Sequence, residues 1–207
     1  MRRLAIFALS ALLAVLLVVP GAALAQKTIK LHHLNKDDPF DNATGAMAQV
    51  FKSLVEAGTN GKVKVQVFPN SQLGKDNEVL QQVKDNVIQS GIFSVGGFAA
   101  MYPPIGVLDI PFAFPNISTT YKVLDGPFGQ ELSKDITAKT GFKVLGFGDS
   151  GGFFAFTNSK KPIKTPADLK DLKIRTMGLE THKRLVSSLG GQPVAIAWAE
   201  VYTALQT

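Results

Sequence analysis

The chain has 207 residues, no cysteine, and 22 lysines and arginines against 16 acidic residues, a formal charge of +6. Without cysteine it holds no disulfide, no thiolate metal centre and no lipid-bearing N-terminal cysteine. Its basic residues stand singly or in pairs such as Lys160-Lys161 and Lys183-Arg184, without the stripe that a phosphate backbone requires, so nucleic acid is not an expected partner.

Arg2 and Arg3 precede a charge-free run from Leu4 to Val19, then Pro20, Gly21 and the small-residue sequence Ala23-Leu24-Ala25. This three-part pattern reads as a cleavable secretory signal over residues 1–25, since the run is short for a membrane span. An N-terminal membrane anchor is the alternative. Cleavage after Ala25 leaves 182 of the 207 residues, starting at Gln26, and removes two arginines, which lowers the charge from +6 to +4. An exported chain with no disulfide fits a bacterial periplasmic protein whose core is large enough to stand alone.

From there, "TIKLHHL" alternates as a first strand. Phe40, Ala43, Met47, Val50, Phe51 and Leu54 recur at three- and four-residue steps, which predicts an amphipathic helix ended near Gly58. "GTNGK" is a turn and "KVKVQVF" a half-buried strand. A second helix carries Val79, Leu80, Val83 and Val87 on one face, and "GIFSV" follows as a short buried strand. "VLDIPFAF", interrupted by proline, predicts an edge, bulge or crossover. Ser118 is placed as the cap of a helix with Tyr121, Leu124, Phe128 and Leu132 inward, leading to a strand "FKVLGF". Then come a strand "FFAFTN", a turn "SKKPIK", a helical turn opened by Thr165 and Pro166, a strand "LKIRT", a helix "ETHKRLVSSLG", a strand "PVAIA" and a helix "WAEVYTALQ". Strands alternating with helices make this an α/β protein with largely parallel sheets.

"GFGDSGG", Gly146 to Gly152, contains G-x-G-x-x-G, the nucleophile-elbow pattern around Ser150, and the Gly-Asp-Ser-Gly-Gly of trypsin-like proteases. The first two patterns need a helix after the glycines, and the β-type "FFAFTN" follows instead. A trypsin-like protease would be all-β, with an upstream histidine in a motif that neither His32 nor His33 occupies. A glycine-rich crossing with a sharp backbone turn is the preferred reading. A secreted serine hydrolase using Ser150 is the rival.

His32 and His33 are strand neighbours and point to opposite faces, so they cannot chelate one metal together. A strand-end pair with one side chain, His33, facing a cleft is the better reading. Arg175 sits inside a short buried strand, and a buried guanidinium must be met by an internal or a bound carboxylate. Trp198 opens a helix directly after a strand, where α/β sheets place ligand sites, although core packing would explain it equally.

The motifs "VFPNSQLG", "DIPFAF", "TNSKKPIKTPADLKDLKIRTM" and "AEVYTALQT" resemble, in order and over the whole mature chain, the solute-binding proteins of tripartite ATP-independent periplasmic (TRAP) transporters, dicarboxylate-binding type. The resemblance implies two α/β lobes of the Venus-flytrap kind around a cleft that closes on an organic acid, with residues 26–152 as the N-terminal lobe and 153–207 as part of the second. It implies no catalysis and no cofactor, and delivery of the acid to membrane permease subunits by a monomer. The arginine of the "KIR" motif, here Arg175, would hold the ligand carboxylate, and Trp198 would line the cleft. Many relatives carry a further arginine before "TN"; "GGFFAFTN" has Phe154 there, which implies a monocarboxylate or a more apolar acid. Asp171 replaces a usual glycine and reads as a turn variant. In relatives "ALQT" is followed by a Gly-, Asp- and Asn-containing motif, a long helix and further strands, so the chain is expected to lack roughly the last third of a family-sized protein and its second lobe to be incomplete.

Overall fold

The computed structural model describes residues 26–206; the expected signal segment lies outside them. Strand β1, Lys27–His33, runs between β2, Val63–Phe68, and β3, Ser90–Ile92, in a parallel sheet ordered β2-β1-β3. Each parallel step returns through a helix, as such pairing requires. Helix α1, Ala43–Gly58, joins β1 to β2, and α2, Asp76–Lys84, joins β2 to β3.

Alternation along β1 divides its side chains between two cores. Leu31 packs with Val65 and with Ala48 of α1, bordered by Ile29, Phe51 and Val55. His32 points the other way, its ring 6.0 Å from that of Phe93. Phe93 borders a second cluster of Leu80, Phe98, Tyr102, Ile105, Leu132 and Ile136. Phe98 belongs to the short helix α3, Val95–Phe98, and Ile105 to a 3-10 turn, Pro103–Asp109. Each fully buried leucine or isoleucine contributes about 1.5–3 kcal/mol.

Helix α1 starts where Asn42 accepts the Gly45 N–H at 3.1 Å, the side-chain cap that short polar residues provide. Its buried face differs from the predicted one. Thr44, Gly45 and Ala48 are buried, whereas Val50, Leu54 and Phe40, which precedes the helix, are exposed. Small residues decide the rotation, because a Cβ at Gly45 would stand 2.8 Å from the Lys36 carbonyl, so only this face lets the helix approach so closely.

The predicted long helix near Ser118 is two. Asn116, not Ser118, caps α4, Ile117–Leu124, by accepting the Thr119 N–H at 2.9 Å. Pro127 then opens α5, Pro127–Thr140, after Gly126, since proline is tolerated in a first turn and not in a helix interior. Leu132 and Ile136 face inward while Tyr121 and Phe128 are exposed. At the corner, a Cβ on Gly129 would lie 1.8 Å from the Leu124 carbonyl oxygen. Gly129→Ala is expected to lower stability by about 1–3 kcal/mol, the range for overpacking, read as a reduced urea midpoint. An unchanged midpoint would show that the corner yields.

"VLDIPFAF" forms no edge strand: it leaves the 3-10 turn through bends in which Phe112 takes φ +62°. "FKVLGF" and "FFAFTN" form no strand and join neither sheet. Strand-like composition needs a partner edge to become a strand, and among the described residues no strand pairs with either segment.

A second parallel sheet pairs β4, Lys173–Thr176, with β5, Gln192–Ala195, through α6, Glu180–Ser188. Thr165 and Asp168 close the preceding turn, the Asp168 carboxylate accepting the N–H groups of Lys164 and Thr165 at 3.0 and 2.8 Å. Asp171 has φ +64°, the left-handed region that glycine fills freely and aspartate tolerates better than most residues. Helix α7, Trp198–Gln206, follows β5. No helix among the described residues is long and apolar enough to cross a membrane.

Candidate functional site

The sheets meet at the C-terminal ends of their strands. β3 leads to Ser94, which caps α3, and a Cβ on the next residue but one, Gly96, would stand 2.5 Å from Met177, just beyond β4. Lys75, at the start of α2, reaches Glu200 of α7 at 2.5 Å. On the other flank His182 of α6 approaches Asp109 of the 3-10 turn, Nε2 to Oδ2, at 3.5 Å. Strand C-termini in open α/β sheets are where ligands bind, because helix starts and loop N–H groups converge there.

Arg175 projects from the third position of β4. Its Nε donates to the Ile196 carbonyl at 3.0 Å, and its guanidinium carbon lies 5.9 Å from the centre of the Trp198 ring. That bond and that ring fix the plane of the guanidinium. No ion pair reaches it among the described residues, and burial pushes its pKa down with no anion in opposition. A cation that is half-desolvated, oriented and unpaired is a receptor for an oxyanion: its Nη groups can give a carboxylate two parallel hydrogen bonds. Of the two readings that its sequence left open, the internal carboxylate is not found among the described residues.

Trp198 is 49% exposed and Phe154 73% exposed. Trp198 stands on Arg175 itself, whereas the Phe154 ring packs edge to face with that of His182 at 5.0 Å and 78°. His33 has no exposed surface, and neither has His32, so the expected opening of His33 onto a cleft is not seen. Burial pushes His32 down to about 4, helped by His33, and pushes His33 down as well; both rings are neutral and without hydrogen-bond partners.

Two buried carboxyl groups border the same region and were not singled out from sequence. Asp76 accepts the Ser94 hydroxyl at 2.9 Å, yet burial lifts its pKa to about 6; burial alone does the same to Asp109. Each looks in sequence like an ordinary surface aspartate, and only the fold reveals its seclusion. "GDSGG" is a turn in which Asp149 accepts the N–H groups of Gly151 and Gly152 at 3.0 and 2.8 Å, with φ +124° and +96° at the glycines. No hydrogen bond links Ser150 to a histidine among the described residues. A surface groove of about 560 Å³ between α1 and β2, lined by Asp37, Lys52, Glu56 and Lys64, includes none of the residues around Arg175. No group of three or more metal-ligating side chains occurs among the described residues.

The model of bacterial extracellular solute-binding protein, family 7, matches residues 35–207. The 2,3-diketo-L-gulonate-binding periplasmic protein YiaO of Escherichia coli K12 is 36% identical over 160 residues, which are 77% of this chain and 48% of that protein. A TRAP periplasmic solute-binding protein of Sulfurospirillum deleyianum, solved with bound succinate, superposes with a TM-score of 0.77 at 36% identity, covering 88% of this chain and 57% of the other. One from a Polaromonas species, bound to D-erythronate, gives 0.79 at 33% identity, with 87% and 58% covered. The chain thus spans about half the length of the relatives it matches. Shared order, fold and motifs lead to one conclusion: the chain belongs to the bacterial extracellular solute-binding proteins of family 7, the two-lobed solute-binding proteins of TRAP transporters.

Proposed function

We propose that this protein captures a small organic acid in the periplasm and delivers it to the membrane subunits of a TRAP transporter, as a monomer and without catalysis or a cofactor. The observation that carries this is Arg175, an oriented and half-buried cation with no internal carboxylate to neutralise it. The acids in the solved relatives, succinate and D-erythronate, share the one group that such a cation recognises. Residues 26–152 form the first lobe and 153–207 contribute to the second. The site comprises Arg175 for the carboxylate and Trp198 as wall, Phe154 in place of a second cation, and His33 at the strand end beneath. With phenylalanine at 154, a monocarboxylate or an apolar acid is favoured over a second charge.

The sole tryptophan supplies a direct test. Trp198 is half-exposed and next to Arg175, so seating an acid and closing the cleft should change its fluorescence saturably. Titration with succinate, D-erythronate and short apolar monocarboxylates is expected to produce that change for at least one acid class. Unchanged emission across the panel counts against the reading.

A further inference from the structure

Resting on the acid-binding reading, we propose that Gly96 is a positioning residue for the Arg175 site, with Gly106 in support: the close approach they allow between the two sheet units sets how well the guanidinium meets an acid. The segment from Met177 to Leu179, which leads from β4 into α6, lies against the first unit at both glycines. A Cβ on Gly96 would stand 2.5 Å from the Cβ of Met177, and one on Gly106 would stand 3.3 Å from the Cδ2 of Leu179. Leu179 and Gly106 are both buried.

Neither glycine takes a positive φ, so neither is needed for its backbone conformation. Gly96 even lies within helix α3, where glycine is a poorer choice than alanine. The near approach of Met177 accounts for it. The next glycine serves the helix's own unit, since a side chain on Gly97 would collide with Asp76 of α2. Helix α3 thus holds to the first unit through Gly97 and admits the second through Gly96. The polar contacts between the units, Lys75 with Glu200 and His182 with Asp109, join side chains that can turn about their bonds. At Gly96 the contact is made by main chain and Cβ, which cannot turn aside.

A displacement at Met177 reaches Arg175 through two hydrogen bonds. Thr176 lies between the two residues, and its carbonyl accepts the Ile196 N–H at 3.1 Å. The Ile196 carbonyl in turn accepts the Arg175 Nε–H at 3.0 Å. With a methyl group at Gly96, an ordinary carbon–carbon contact of about 3.5–4 Å is restored only if Met177 retreats by about 1 Å or more. A retreat of that size carries the guanidinium out of hydrogen-bond range of an acid seated between the units.

Two experiments on the full chain separate this proposal from the reading beneath it. The first needs no ligand. The chain has no native cysteine, so Lys62→Cys and Ser187→Cys, both at exposed positions, carry one spin label on each unit, and dipolar electron spin resonance reads the distance between them. Gly96→Ala should lengthen that distance by about 1 Å or more, and adding Met177→Gly should reverse the change. A distance indifferent to Gly96→Ala would overturn the proposal. The second is calorimetry with succinate, D-erythronate and the monocarboxylate panel. Gly96→Ala is expected to bind the acid about tenfold more weakly, as for one lost hydrogen bond to a charged group. Gly106→Ala should weaken it less, because the tip of a leucine can yield where a Cβ cannot. Adding Met177→Gly to Gly96→Ala should recover most of the loss, which a fault confined to α3 would not permit. Equal affinity in parent and Gly96→Ala, or a loss that Met177→Gly leaves unrepaired, overturns this proposal alone; no binding of any acid by the parent overturns the acid-binding reading and the role of Gly96 with it.

Discussion

Arg175→Ala is expected to weaken organic-acid binding by about 2–5 kcal/mol, the range for removing one partner of a desolvated charge pair. The effect should exceed that of any neighbouring substitution, because the ligand carboxylate would enter a half-buried site with no cation to meet it. Arg175→Lys should restore only part of the loss. A lysine carries the charge but cannot present two coplanar donors, and it would forfeit the bond to the Ile196 carbonyl that orients the native side chain. Calorimetric affinities for parent, Ala and Lys variants check this order. Equal affinities would return Arg175 to a structural role in the β4–β5 unit.

The second large effect is on stability against acid, and it arises in β1. His32 is buried and neutral, lowered from 6.5 to about 4 chiefly by desolvation and secondly by His33. A folded-state pKa below the unfolded one means that the unfolded chain binds more protons between these values. The contribution is therefore complete above 6.5 and is lost as pH falls toward 4. At about 1.4 kcal/mol per pH unit it is on the order of 3 kcal/mol. Asp76 and Asp109, both raised to about 6, act in the opposite sense, since the folded state then holds the extra protons as pH drops below 6. A His32→Leu variant isolates the histidine, because the aspartates are common to both proteins. The parent should lose about 3 kcal/mol more than the variant between pH 7.5 and 4, measured by urea unfolding. Parallel pH profiles would mean that His32 is solvated or paired in solution.

Much of the architecture was legible because it rests on local chemistry. The alternation of "KVKVQVF", the Thr165–Asp168 turn and the helix–strand order through β4, α6 and β5 all survive in the structure. What failed depended on a neighbour. The buried side of α1 is set by Gly45 lying against the Lys36 carbonyl, a contact no periodicity contains. "FKVLGF" and "FFAFTN" have strand composition but no paired edge among the described residues. At the site, the oddity of an arginine within a buried strand was visible in "KIRT", yet its lack of an internal anion could be seen only in three dimensions. In sequence His182 is one polar residue of the predicted helix "ETHKRLVSSLG" and Asp109 one aspartate of "VLDIPFAF". Their meeting across two sheet units is a product of topology.

Binding of a carboxylate at Arg175 is the central claim. The most direct measurement is a thermal-shift comparison of the chain and its Arg175→Met variant against succinate, D-erythronate and a series of monocarboxylates, since a ligand that binds only the folded state raises its melting temperature. The expected result is a concentration-dependent rise for one acid class in the parent and its loss in the variant. An equal rise in both proteins, or none with any acid, would contradict it.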